Sequence, residues 1–342
     1  MDKDTKKLIS YWLSSAIGLL IVMVIIGGIT RLTKSGLSMT DWQPIYGVIP
    51  PITETDWLEE FNKYKQFPEY QKLNNTMTLE EFKFIFFWEY IHRIIGRALG
   101  LLFILPFTFL LIKKRLNKSL MCKLLVCFFL GALQGLFGWY MVKSGLVDVP
   151  YVSHYRLAVH LILAFIIINY IFWILLNINK NYFKKSDHYI REKLSLFLTC
   201  IIVVIFIQII YGAFTAGLKA GFGWNTFPKM GGYWIPRGLL PISPLWKNFF
   251  ENHMTVQFIH RYLGWLLCML IPAYWNYAKS FKLSTQQNIA TNLLLYITIG
   301  QFFLGMLTLI MVVPIWLAVF HQLGAILLLS ISVYNYFLIN NI

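Results

Sequence analysis

Along the chain, long apolar blocks alternate with short basic connections and with two longer segments of mixed character. A block of roughly 20 apolar residues crosses the hydrocarbon core as a helix, because a helix satisfies its own backbone polar groups where no water can. The blocks predict helices at 8–29, 84–112, 121–142, 154–177, 194–216, 254–277, 289–313 and 315–339. Only Val313-Pro314 separates the last two, and proline there ends one helix and opens the next. The first block follows Lys6-Lys7 but exceeds the roughly 7–15-residue core of a signal peptide and lacks a small-residue cleavage site, so it reads as a retained helix. The expected fold is an all-α integral membrane protein with eight transmembrane helices.

The pattern also repeats. Gly28-Ile29-Thr30 followed by Lys34-Ser35-Gly36 matches Ala213-Phe214-Thr215 followed by Lys219-Ala220-Gly221. Glu89-Tyr90-Ile91-His92-Arg93 matches Gln257-Phe258-Ile259-His260-Arg261, and Leu157-Ala158-Val159-His160 matches Leu317-Ala318-Val319-Phe320-His321. Residues 1–183 and 184–342 thus read as two four-helix bundles. Each has an even number of helices, which makes them parallel repeats.

Composition sharpens this picture. The chain has 342 residues, 58% hydrophobic and 13% charged; a soluble domain carries about 25% charged residues, so this one cannot coat a water-facing surface. A net charge of +15 would suggest nucleic acid in a soluble protein. Here the cations cluster in connections instead: Lys3, Lys6 and Lys7; Lys113, Lys114, Arg115 and Lys118; Lys180, Lys184, Lys185, Arg191 and Lys193; Lys279 and Lys282. These mark one side as cytoplasmic, the N-terminus included, and nucleic acid is not an expected partner. The opposite side holds the long connections 30–83 and 217–253, in which Trp42, Trp57, Trp224 and Trp234 read as interfacial anchors. Cys122, Cys127, Cys200 and Cys268 form no CxxC pair and lie in or beside apolar blocks, so they read as packing residues.

The candidate chemistry lies with His92, His160, His260 and His321, all inside predicted helices that enter from the outer side. An ionisable residue in a bilayer is costly and marks a functional site by default. At 1.5 Å per residue, each lies roughly 9–12 Å below the outer boundary. Two histidines facing across a bundle can hold haem iron from both axial sides, which assigns His92 with His160 and His260 with His321; a metal without porphyrin is the weaker alternative. Gly96, Gly100, Gly131, Gly135, Gly138 and Gly264 either admit a flat ring or allow close helix packing. Arg93, Arg97, Arg156 and Arg261 suit haem propionates or snorkel to headgroups. His253 precedes His260 by seven residues and is a lesser candidate for the same face; His154 and His188 read as solvated.

The repeat breaks where Glu89 faces Gln257, each three residues before a histidine. Glutamine keeps the shape but cannot ionise. One half therefore reads as a catalytic haem pocket and the other as an electron-transfer pocket. The plain alternative pairs Glu89 with Arg93 one helical turn away.

In these motifs, with Gly28 to Met39, Tyr155-Arg156-Leu157-Ala158-Val159-His160, Asn225-Thr226-Phe227-Pro228-Lys229-Met230 and His321-Gln322, the chain resembles haem A synthases of the mitochondrial and alphaproteobacterial branch. The resemblance implies oxidation of the C8 methyl group of haem O to a formyl group, with haem O bound at His92 and His160. It implies haem b as cofactor between His260 and His321, and Glu89 as the essential glutamate. It also implies a bacterial cell (inner) membrane, with haem O synthase, an electron acceptor and a second copy of the chain as candidate partners. The outer-loop cysteine pair of some bacterial members is absent. The rival readings are a di-haem b-type electron-transfer cytochrome and a haem carrier without chemistry.

Overall fold

The computed structural model describes residues 2–41, 46–146, 151–180 and 188–341; Trp42, Lys184 and Lys185 lie outside these. Among the described residues, eight helices are long and apolar enough to cross a membrane. They are α1 (Lys3–Leu32), α4 (Leu79–Ile112), α5 (Lys118–Gly145), α6 (His154–Ile178), α7 (His188–Gly217), α9 (His253–Lys279), α10 (Thr285–Ile310) and α11 (Ile315–Asn341). Each contains its predicted apolar block, apart from α10, which stops at Ile310 where the apolar run reaches Val313. Most extend beyond the apolar residues, because capping side chains such as Asp2, Asn117 and Ser284 satisfy the first free N–H groups outside the block. Val312 and Val313 take left-handed φ values of 60° and 59°, and Pro314 precedes the first turn of α11. The protein is thus all-α and multi-pass in a membrane.

The chain divides into two compact units, Met1–Ile167 and Ile168–Ile342, with the boundary inside α6. In unit 1, α1 packs along α4, where Trp12 donates its indole N–H to the Leu102 carbonyl at 2.7 Å and lies against Phe103. In unit 2, Asn335 on α11 donates to the Ala290 carbonyl of α10 at 2.9 Å and accepts from Thr291, tying two apolar faces with buried polar groups.

The segment 30–83, too long for a simple connector, is ordered over its described residues. It contains α2 (Glu54–Tyr64) and α3 (Pro68–Leu73). Thr53 with Asp56 forms a capping box at α2, and Thr78 with Glu81 forms another at α4. Met39, Phe61, Tyr64, Phe82, Ile85 and Phe86 form a small buried core that fixes the segment to the first turns of α4, with Trp57 packed against Phe86 at 5.2 Å.

Candidate functional site

α4 carries Glu89, His92, Arg93 and Arg97 over about two turns, and α9 carries Gln257, His260 and Arg261 over about one. Lys34 after α1 and Lys219 after α7 adopt matching left-handed conformations, with φ of 57° and 56°. Each turn reverses the chain so that the following residues reach the neighbouring helix end.

Glu89 is 3% exposed and bonded at both oxygens. Oε2 accepts from Ser38 Oγ at 2.7 Å and from the Met39 amide at 2.9 Å; Oε1 accepts from Arg93 Nη2 at 2.6 Å. Arg93 also donates to the Met39 and Asp41 carbonyls at 2.8 and 3.2 Å. The pairing with Arg93 weighed from the sequence is therefore present, and it forms part of a clamp on residues 38–41.

Unit 2 builds the same clamp with opposite polarity. Gln257 Nε2 donates to the Ala220 and Gly223 carbonyls at 2.9 and 2.8 Å, and Arg261 donates to the Thr226 and Trp224 carbonyls and to Gln257 Oε1. The two side chains share a shape, but the pocket around Glu89 is made of donors and the pocket around Gln257 largely of acceptors. Glutamine is therefore not a neutral stand-in at position 89, contrary to what the repeat alone suggests.

The histidine pairs fall one per unit. The His260 and His321 rings have centroids 6.3 Å apart and planes at 86°. Two metal–imidazole bonds of about 2 Å each, plus the two ring radii, span about this separation. His92 lies within electrostatic reach of His160. Nδ1 of His160, His260 and His321 and Nε of Arg261 are buried without a hydrogen-bond partner. No group of three or more His, Cys, Asp or Glu side chains able to hold a metal ion occurs among the described residues. Two imidazoles without a third ligating side chain beside them fit a porphyrin, whose ring supplies the remaining iron ligands, better than a bare cation.

The other predicted residues are placed as follows. Arg156 donates to Tyr140 Oη at 3.2 Å and lies over that ring at 4.3 Å. Arg97 sits one turn beyond Arg93 on α4. A Cβ on Gly96 would meet Met23 at 3.3 Å, a packing contact with α1, and one on Gly264 would meet Gln208 at 3.6 Å. Gly100, Gly131 and Gly135 face open space. His253 is exposed at the start of α9, and His154 is half-buried beside Tyr155.

Sequence reasoning missed Gln134 and Gln301, which donate to the backbone carbonyls of His160 and His321 at 3.1 and 2.8 Å. Their common spacing, four residues before Gly138 and Gly305, was the available signal.

Residues 10–333 match a family described as cytochrome oxidase assembly protein. A protein of Nitrosospira multiformis named Heme A synthase is 46% identical over 96% of this chain and 92% of its own length. Proteins of the same name from Flavobacterium psychrophilum and the Wolbachia of Brugia malayi are 45% and 42% identical. The first covers 97% of the chain and 98% of the relative, the second 96% of each.

Proposed function

The chain belongs to the cytochrome oxidase assembly protein family, and on that premise we propose that it acts as a haem A synthase, oxidising the C8 methyl group of haem O to the formyl group of haem A for terminal oxidases. The observation that carries this reading is the asymmetry between two otherwise matching sites. Each unit has a histidine pair, and of these four histidines only His92 has a carboxylate, Glu89, one turn away on its own helix.

Haem O is the substrate of unit 1, held by His92 and His160. Haem b is the cofactor of unit 2, held by His260 and His321; when bound, it supplies a one-electron relay. At each of two stages the methyl carbon takes up the oxygen of one water and gives up two protons and two electrons, the electrons passing to the acceptor, to form an alcohol and then a geminal diol, which loses water to leave the aldehyde. The Glu89 carboxylate stands one turn from His92, placed to take a proton from the methyl group or to offset positive charge as electrons leave. Arg93 and the Ser38 and Met39 donors fix that carboxylate in one orientation. Arg97 and Arg156 in unit 1 and Arg261 in unit 2 supply cationic contacts for propionates. Within a bacterial cell membrane, with the N-terminus cytoplasmic, the enzyme receives haem O from haem O synthase and passes electrons to an acceptor. Self-association is a further expected contact.

The test is the haem extracted from membranes that express the chain with a supply of haem O. A new haem A peak is expected. Unchanged haem O would overturn the reading in favour of a di-haem electron carrier.

A further inference from the structure

Each of the four intramembrane histidines lies against a glycine of a neighbouring helix. A Cβ on Gly138 would come within 3.1 Å of His160 Cε1, one on Gly212 within 3.1 Å of His260 Cε1, and one on Gly305 within 2.7 Å of His321 Cε1. A Cβ on Gly27 would come within 3.1 Å of His92 Nε2 and 3.4 Å of its Cδ2. A half-turn of an imidazole exchanges Nε2 with Cε1 and Cδ2 with Nδ1, so all four are one edge-on approach. The glycines are also equivalent in the repeat. Gly27 precedes Gly28-Ile29-Thr30 as Gly212 precedes Ala213-Phe214-Thr215, and Gly138 follows Gln134 as Gly305 follows Gln301.

We propose that Gly27, Gly138, Gly212 and Gly305 are positioning residues: seats that fix the ring orientation of the four haem-binding histidines. The proposal rests on the reading of those histidines as iron ligands given above. Metal-binding histidines are usually oriented by a hydrogen bond from the second ring nitrogen to a carbonyl or carboxylate. Here Nδ1 of His160, His260 and His321 makes no hydrogen bond of normal geometry, although the backbones of Gln208 and Gln301, one turn before Gly212 and Gly305, lie within electrostatic reach of His260 and His321. Edge-on contact with the glycine backbone sets the ring orientation together with these polar approaches. Helix backbone without a Cβ lies along the ring edge and blocks rotation of the imidazole. Gln134 and Gln301, one turn before Gly138 and Gly305 on the same helix faces, bond the carbonyls of His160 and His321, and Gln134 Nε2 also lies 3.3 Å from His160 Nε2. General helix packing does not explain the pattern. Gly300, on the same helix as Gly305, and Gly131, on the same helix as Gly138, have nothing within 4 Å of their Cβ positions.

The structure supplies its own controls for unit 2. Purified Gly305→Ala, Gly212→Ala, Gly300→Ala and His321→Ala proteins are compared for haem b per polypeptide, reduction potential and the electron paramagnetic resonance signal of the ferric haem. That signal reports the relative orientation of two axial imidazoles. Gly305→Ala, the tightest contact, should lose haem b and shift the signal. Gly212→Ala, a looser contact, should keep haem b with a shifted signal and potential, and it decides the matter if Gly305→Ala does not assemble. Gly300→Ala should match the parent protein. Parent-like signals and potentials in both seat variants would overturn the proposal. A parent-like haem b content in His321→Ala would overturn the ligand assignment beneath it. Loss of haem b in His321→Ala beside unchanged seat variants would overturn the seats alone.

Discussion

Glu89 is a buried charge whose neighbours are all donors, and that decides what its replacement does. In Glu89→Gln an amide N–H₂ must face Ser38, the Met39 amide or Arg93, and Arg93 loses its counter-charge. Removing one partner of a buried pair costs about 3–5 kcal/mol. The expected outcome is a lower unfolding temperature together with loss of haem A. Arg93→Met in the same background removes the uncompensated charge, so thermal stability should recover while haem A formation does not. Recovery of both, measured on purified protein by thermal unfolding and haem analysis, would reduce Glu89 to a structural clamp. The sequence singled out Glu89 through the break in the repeat. It could not reveal the donors, because Ser38 and Met39 lie some fifty positions away and meet the carboxylate only once the chain reverses at Lys34.

At the scale of elements, α2 and α3 hold the outer segment against α4. Phe82 is fully buried, stacked on Phe61 at 5.0 Å and in contact with Tyr64 at 5.2 Å. Tyr64 donates to the Glu69 carboxylate at 3.0 Å and accepts from Asn74 at 2.8 Å; burial and the adjacent carboxylate raise its pKa, so the phenol keeps its proton. Phe82→Ala should cost about 3–5 kcal/mol. The loss is confined to this small core, so residues 47–80 should become sensitive to limited proteolysis while haem b in unit 2 stays at the parent level. Unchanged cleavage would mean that the segment is held by its capping boxes and the Glu89 clamp alone. Both boxes, Thr53 with Asp56 and Thr78 with Glu81, were visible in the sequence as paired residues three apart. Its length already marked the segment as more than a simple connector, but mixed charge and short apolar stripes hid the helices within it.

For the whole molecule, the basic connections set orientation. Reactive positions should sort by side: Glu59→Cys, on exposed α2, should react with a membrane-impermeant thiol reagent on intact cells. Lys282→Cys, exposed between α9 and α10, should react only after lysis. Both variants are made in a background without the four native cysteines. The reverse pattern would invert the topology and contradict the charge rule. The rule applies because the positive connections are short, and short connections orient a polytopic chain through the cost of moving Lys and Arg across the bilayer.

The sequence by itself determined the eight helices, because the length of an apolar block is a local property and the bilayer thickness fixes how long it must be. It also singled out His92, His160, His260 and His321, because a repeated pattern writes each of them twice at matching positions. Only the tertiary structure decided which side chains turn these positions into sites. The clamp around Glu89 and its inverted copy around Gln257 depend on which backbone groups a returning segment presents. The contacts of Gly27, Gly138, Gly212 and Gly305 with the histidines depend on how closely two helices approach, and in one dimension a glycine seating an imidazole is the same letter as Gly300, which touches nothing.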